Sequence, residues 1–502
     1  MKIFFFIHFA ALIFMSLYGL YRLMLIHLWK IEKGLVHGHV KCPPVPGAGE
    51  RYEPVTIQLP VYNERFVAGR LIDSVCRIRW PKEFLEIQVL DDSNEDTRSI
   101  VDDGVSKWRK RGLNIKVLRR KMRSGYKAGA LAYGLKKATG NFIAIFDADF
   151  LPPSDFLQRT MPFFQDKKVG MIQARWGFLN EGTSWFTRLQ AVFLSAHFGI
   201  EQFLRFRKGL FLNFNGTAGV WRREAIVSSG GWQADTVTED LDLSFRAQIK
   251  GWQAVYLDDL EVPSELPITL SALRSQQKRW AKGSIQTARK ILPSLWTSKA
   301  RMAQKIEGTI LLLSNLGWLM GALIFITLYP TLIQRVGIGP YQIMRIDLPI
   351  FLLATLAILY YSYFHERYGR GQKPLEIARS LSLLPAFGLG MAPTVTMGIL
   401  EGLFSHGGKF VRTPKFGIAG PGQTWRRLWS YHRASWLGLV VDLGLFIYSF
   451  LPMAFALKKG AYLALPFLAV FTLGFFLMLY LDVLDLLNHS SGHHHFFGRF
   501  SV

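Results

Sequence analysis

NFIAIFDAD, residues Asn141–Asp149, is a short apolar run that ends in two carboxylates. Its aliphatic and aromatic residues suit a buried strand, and the polar end suits a strand that stops at a ligand. Four further runs have the same character: Val55–Leu59, Glu86–Leu90, Asn114–Leu118 and Val169–Ala174. Helix-like stretches lie between them, as at Phe66–Arg77, Arg98–Lys110 and Tyr126–Lys137. Alternation of this kind predicts a mainly parallel sheet with helices on both faces. Ligands in such sheets bind beyond the carboxyl ends of the strands. The residues found there are Tyr62, Asn63 and Glu64 after the first run, Asp91, Asp92 and Ser93 after the second, and Asp147 and Asp149 after the fourth.

Each of these groups has two readings. Asp91 and Asp92 can cap a helix or hold a ligand. Asp147 and Asp149 can form a solvated turn, or present oxygens to one hard cation that neutralises a diphosphate. The triplet Thr238-Glu239-Asp240 precedes a helical pattern. A carboxylate there can cap that helix, act as a general base for a sugar hydroxyl, or do both. Lys127 reads as a surface lysine from its type alone. Asn215-Gly216-Thr217 is formally a glycosylation triplet, but a cytoplasmic position argues against that use. Leu273–Lys290 reads LRSQQKRWAKGSIQTARK, basic and without acids. Leu273, Gln277, Trp280, Ser284 and Ala288 recur at helical spacing, so Trp280 shares a face with less charged residues. Arg274, Lys278, Lys282 and Lys290 are expected in water or against lipid phosphate.

The chain has 502 residues, half of them apolar, and a net charge of +24. Such a charge points to nucleic acid, a membrane surface or phosphate-rich ligands. Nucleic acid is set aside because the apolar residues concentrate at the start and in the last two hundred or so positions. Cys42 and Cys76 are the only cysteines, which excludes a disulfide scaffold. Ile3–Trp29 is long enough to span a bilayer and lacks a small-residue cleavage site, so it reads as an anchor. Thr309–Ile333, Leu348–Phe364, Leu437–Ala456 and Ala461–Leu481 are further expected spans. Ser380–Phe404 contains Pro385, Pro393 and Glu401 and reads as a broken segment at the inner face. Basic residues in the middle region and at Lys409, Arg412, Lys415, Arg426, Arg427 and Arg433 place both regions inside. Five spans then leave the N-terminus outside and the C-terminus inside. The expected division is an anchor over 1–30, a catalytic region over 31–305, a membrane region over 306–485 and a flexible tail over 486–502. The tail carries His489 and His493–His495, with no cysteine or acid close to the triplet.

Taken in order, LPVYNE, LDDS, GYKAGAL, DAD, FNGTAGVWR, TED and QQKRW resemble the membrane-embedded family 2 glycosyltransferases of the cellulose synthase superfamily. Glucomannan and mannan synthases and their bacterial relatives are the nearest likeness. The resemblance is strong over Pro54 to Arg289 and looser in the membrane portion. It implies an α/β glycosyltransferase A-type, Rossmann-like cytoplasmic domain and an α-helical transmembrane domain. It implies a nucleotide-sugar site of Tyr62, Glu64, Asp91, Asp92, Lys127, Asp147 and Arg279. It assigns Asp149 to a Mg2+ or Mn2+ ion, and makes Asp240, with Glu239 beside it, the catalytic carboxylate. Phe214, Asn215, Gly216, Thr217, Gln276 and Trp280 are implied to form the acceptor site. Phe410-Val411-Arg412-Thr413-Pro414-Lys415 looks like a gating loop of pattern FxVTxK. Phe410, Thr413 and Lys415 fit that pattern, and Arg412 departs from its valine.

The implied reaction is inverting transfer of a hexose from UDP-glucose or GDP-mannose to a glycan. A growing polymer would leave through the membrane region of an integral inner-membrane protein. Addition of one sugar to a lipid is the competing product. Membrane lipids are expected partners, and nucleic acid is not.

Overall fold

Every strand-like run forms a strand, and two strands that escaped the pattern join them. The computed structural model describes residues 2–35, 52–335, 340–409, 411–418 and 436–490. The strands are β1 (Val55–Val61), β2 (Leu85–Asp91), β3 (Asn114–Leu118), β4 (Phe142–Ile145), β5 (Val169–Phe178), β6 (Gly219–Arg222) and β7 (Gln253–Ser264). They form one sheet in the order β3-β2-β1-β4-β6-β5-β7. Neighbours are parallel except around β6, which runs antiparallel to β4 and β5. The sheet is therefore mixed. β6 is too short to show a two-residue period. β7 holds Asp258, Asp259, Glu261 and Pro263, which its place at the edge of the sheet tolerates.

The expected helices appear as Ala68–Val75, Thr97–Arg109 and Tyr126–Lys137. On one face of the sheet, Ile57, Leu59 and Ile87 pack in a core with Leu71, Ile72, Val101 and Val105 of the first two helices. On the other face, Ile143 and Ile145 share a core with Leu131 and Leu135. Leu25, Ile26 and Trp29 of the N-terminal helix Lys2–Leu35 belong to this second core. Hydrophobic packing thus fixes the anchor to the α/β domain.

Five helical stretches among the described residues are long and apolar enough to cross a membrane: Lys2–Gly34, Leu316–Gln334, Pro374–Phe404, Gly438–Lys458 and Leu465–Leu487. Three expectations need correction. Thr309–Ile333 is not one element, because the helices Met302–Leu313 and Leu316–Arg335 divide at Ser314 and Asn315. Ser380–Phe404 is not broken at its prolines: Leu384–Phe404 is a continuous helix. Pro385 lies in its first turn, where the missing N–H costs nothing. Its glycines permit close packing. A Cβ on Gly390 would stand 2.6 Å from the Gly474 carbonyl oxygen, and one on Gly398 would stand 2.5 Å from that of Lys278. Leu348–Phe364 lies within the helix Pro340–Phe364 but is not among those five, whereas Pro374–Phe404, which contains the segment expected to stay at the inner face, is.

The basic stretch LRSQQKRWAKGSIQTARK lies in the helix Leu270–Thr297, but most of its cations have protein partners. Arg274 is 2.5 Å from Asp442 and 2.9 Å from Asp482, on the two last helices. Lys278 is 2.6 Å from Glu401, and Lys290 is 2.8 Å from Asp235. Those charges fasten this helix to its neighbours. Cys76 is buried with a free thiol. Cys42, Phe410, Arg426, Arg427, Arg433 and His493–His495 lie outside the described residues.

Candidate active site

The carboxyl ends of β1, β2 and β4 open onto a cavity of about 190 Å³. β4 delivers Asp147, whose backbone N–H donates to the Thr217 hydroxyl at 2.9 Å. Lys127, in the first turn of Tyr126–Lys137, reaches Asp147 Oδ1 at 2.5 Å. It also donates to the Gly216 carbonyl at 3.0 Å. Gly216 has φ +80°, and a Cβ there would come within 2.9 Å of Asp240 Oδ2. Glycine leaves this approach open and takes the left-handed backbone without strain.

Asp240 lies in the first turn of the helix Glu239–Ile249, and the cap position itself is Thr238. Burial raises the pKa of Glu239, and the charge of Asp240 raises it further, while Lys127 opposes the shift. Burial also raises Asp240, again against Lys127. A carboxylate held above its ordinary value is a stronger base near neutral pH. The helix Leu270–Thr297 adds Gln276, Arg279 and Trp280 to the wall. Burial lowers the pKa of Arg279, opposed by Glu239 and Asp147. The Trp280 ring centroid stands 6.5 Å from that of Trp176.

Residues 411–418 close over the cavity. Lys415 Nζ is 2.7 Å from Asp149 Oδ2. Arg412, the residue that departs from the loop pattern, has an acidic partner: its guanidinium is 3.4 Å from Glu64 Oε2. Burial pushes Glu64 up to about 8, with Arg412 opposing. Thr413 joins the wall, whereas Phe410 lies outside the described residues.

Three expected site residues stand behind the wall. Asp91 is fully buried and turned towards Arg119, 2.8 Å away, while its neighbour Asp92 faces the cavity. Phe214 and Thr217 are fully buried, and of FNGT only Asn215 and Gly216 reach the cavity. Phe214 packs edge-on against Trp221, with centroids 5.5 Å apart. Its ring fills core space, and Thr217 orients the Asp147 backbone. Among the described residues no group of three or more His, Cys, Asp or Glu could hold a metal. A cation that keeps phosphate oxygens in its shell needs only one or two carboxylates. Asp149, with Asp147 two residues away, fits that requirement.

Residues 53–283 match the model of the glycosyltransferase-like family 2. The chain carries a family 2 glycosyltransferase domain. It is 46% identical over 245 residues to glucomannan 4-beta-mannosyltransferase 7 of Arabidopsis thaliana, a match covering 48% of this chain and 44% of that protein. It is 39% identical over 315 residues to glucomannan 4-beta-mannosyltransferase 1 of Cyamopsis tetragonoloba, covering 62% and 60%. The chain spans about half the length of the curated relatives it matches. The solved mannosyltransferase PcManGT of Pyrobaculum calidifontis, in complex with GDP-Man and Mn2+, shares the fold. It has a TM-score of 0.54 at 20% identity and covers 79% of this chain and 98% of that one. The resemblance read from the motifs, and the glycosyltransferase A-type fold it implied, are borne out.

The glycosyltransferase domain does not end in a closed pocket. A second cavity, about 430 Å³, shares Trp176, Asn215, Thr238, Asp240 and Trp280 with the first. It continues between the apolar helices as far as Leu12, Ile324 and Phe471. Its polar members include Arg22, Glu201 and Tyr361. Arg22 pairs with Glu201, and its guanidinium lies 4.8 Å from the centroid of the Tyr361 ring. Sequence reasoning missed several residues of the glycosyltransferase site. Arg123 covers Tyr62 at 3.3 Å, and Trp176, Tyr126 and Glu265 line the first cavity. Trp176 stands two residues past the expected strand Val169–Ala174, which was a usable signal, although the strand itself runs on to Phe178. Glu265 carried none.

Proposed function

We propose that this chain transfers mannose from GDP-mannose to the end of a β-linked glycan and passes the product into the membrane. The observation that carries this reading is that Asp240 and Trp280 line both cavities. A donor bound beyond β1, β2 and β4 would place its base near Tyr62 and Asp92. Its diphosphate would meet Lys127 and Arg279. Asp149, with Asp147 beside it, would hold Mg2+ or Mn2+, which neutralises charge on the leaving diphosphate when bound. Trp280 stacks under the acceptor sugar and presents its hydroxyl to Asp240. Asp240 takes the hydroxyl proton as the oxygen forms its bond to the anomeric carbon. The bond from that carbon to the diphosphate breaks, and Arg279 and Lys127 stabilise the charge that develops. One displacement inverts the anomeric centre, so an α-linked donor gives a β-linked product.

Mannose is preferred to glucose because the named relatives are mannosyltransferases. The catalytic domain lies on the cytoplasmic side, as its basic surroundings require. Membranes bearing the protein, supplied with Mn2+ and labelled GDP-mannose or UDP-glucose, test the reading. A polymer labelled from GDP-mannose is expected. Asp240→Asn should lower the rate by about 10²–10⁴-fold at unchanged expression. A labelled glycolipid as sole product, or full activity in Asp240→Asn, would sink it.

A further inference from the structure

We infer that Glu265 is a positioning residue that clasps residues 411–418 over the donor cavity and links them to Asp149. The inference rests on the donor-site reading above. Glu265 follows the last residue of β7 and is 2% exposed. Three successive backbone N–H groups converge on its carboxylate. Those of Phe416, Gly417 and Ile418 donate at 2.7, 2.8 and 3.1 Å. Such a run of amides is an anion nest built from main chain. Arg70 reinforces it, 3.7 Å from the same carboxylate, and donates to the Gly417 carbonyl at 3.3 Å. Glu265 also faces the catalytic side. Its carbonyl accepts from Lys415 Nζ at 2.6 Å, and its N–H donates to Asp149 Oδ2 at 3.3 Å.

The physical argument concerns a buried charge. With the segment lifted away, the Glu265 carboxylate would keep Arg70 but lose every main-chain donor that the segment supplies. An ionised carboxylate stripped of hydrogen bonds inside a protein is costly, so the segment is drawn back. Phe416 and Ile418 are also buried, at 6% and 2%, so apolar contact adds to the closure. Lys415 and Arg412 hold the segment through side chains, on Asp149 and Glu64. Glu265 holds the main chain, and its two oxygens are occupied by the segment. It acts through 411–418 on the donor and does not touch the reacting atoms.

Hydrogen exchange of the purified full chain, with and without GDP and Mn2+, tests this in wild type, Glu265→Ala and Glu265→Gln. Without nucleotide, Glu265→Ala should raise the exchange of amides 416–418 on the order of tenfold or more, the factor expected for a lost charge-assisted hydrogen bond. Glu265→Gln keeps one acceptor and should fall between. Peptides from β1 to β4 should exchange as in wild type. In transfer assays the KM for the donor should rise about tenfold in Glu265→Ala, with kcat changed less, and Glu265→Gln should recover part of the rise. Unchanged exchange at 416–418 in Glu265→Ala overturns the inference. A uniform rise across the sheet in both variants also overturns it, since that is what a merely structural role produces. If GDP with Mn2+ fails to protect the cavity in wild type, the donor reading fails instead. The clasp is then decided by the nucleotide-free exchange alone.

Discussion

Lys127 sits among the carboxylates to which the proposed mechanism gives the proton transfer. It is 2.5 Å from Asp147, and its charge opposes the upward shift of both Glu239 and Asp240. A general base works only when deprotonated, so transfer falls as the pH drops through the pKa of Asp240. Lys127→Gln removes the opposing charge, and burial then raises Asp240 further. The acid limb of the pH–rate profile should move to higher pH. The variant should therefore lose more activity on the acid side of the profile than on the alkaline side. A profile parallel to that of wild type would show that Lys127 does not bias the base. Carboxylates after strands were legible at this scale as chemical statements in themselves, whereas Lys127 read as a surface lysine and gained a role only from the motif resemblance. Which way a side chain faces was not legible. Asp91 and Asp92 are adjacent on an extended backbone and so point to opposite sides. Phe214 and Thr217 turn inwards through a loop whose geometry no period reveals.

The helix Leu270–Thr297 carries Gln276, Arg279 and Trp280, and its neighbours fix its position. Arg274 ties it to Asp442 and Asp482, Lys278 ties it to Glu401, and Gly398 lets its backbone approach closely. The glycines and prolines of Leu384–Phe404 suggested a break because both residues disfavour an isolated helix. Here the packing outweighs that propensity, and the glycines serve a neighbouring backbone. Sequence patterning registers the helix penalty but not the partner that offsets it. Gly398→Ala separates the two readings. Its Cβ would stand 2.5 Å from the Lys278 carbonyl oxygen and 3.2 Å from Ala281 Cβ, so the helices must part. Overpacking of this kind costs about 1–3 kcal/mol. It should lower thermal stability by that order and reduce kcat about tenfold or more, through displacement of Arg279 and Trp280. In an ordinary helix the same substitution would stabilise. A thermal melt that rises, with full activity, would show that the contact does not position the site.

At the scale of the whole molecule, the proposed passage joins two neighbouring cavities that share Trp176, Asn215, Thr238, Asp240 and Trp280. Composition located the apolar segments and the basic faces between them, because lipid and water select residues by hydropathy. It could not reveal a passage. That property arises from helices far apart in the chain, with Leu12, Ile324 and Phe471 meeting along one cavity. The passage makes a prediction that separates polymer export from transfer itself. Gly388 lines it, and a Cβ there would meet only the Trp318 ring, at 4.0 Å. A Cβ at this position therefore displaces no backbone, and a large side chain built on it would narrow the cavity that Gly388 lines. Gly388→Trp should leave expression and the first sugar transfer near wild type, because Asp240, Asp149 and Lys127 stay in place. A blocked passage stops elongation after few additions, so the labelled product should shift from polymer to short oligosaccharide. Product sizing on the same membranes reads this directly. Full-length polymer at the wild-type rate from Gly388→Trp would mean that the glycan leaves by another route. The cavity would then be a feature of packing and not of export.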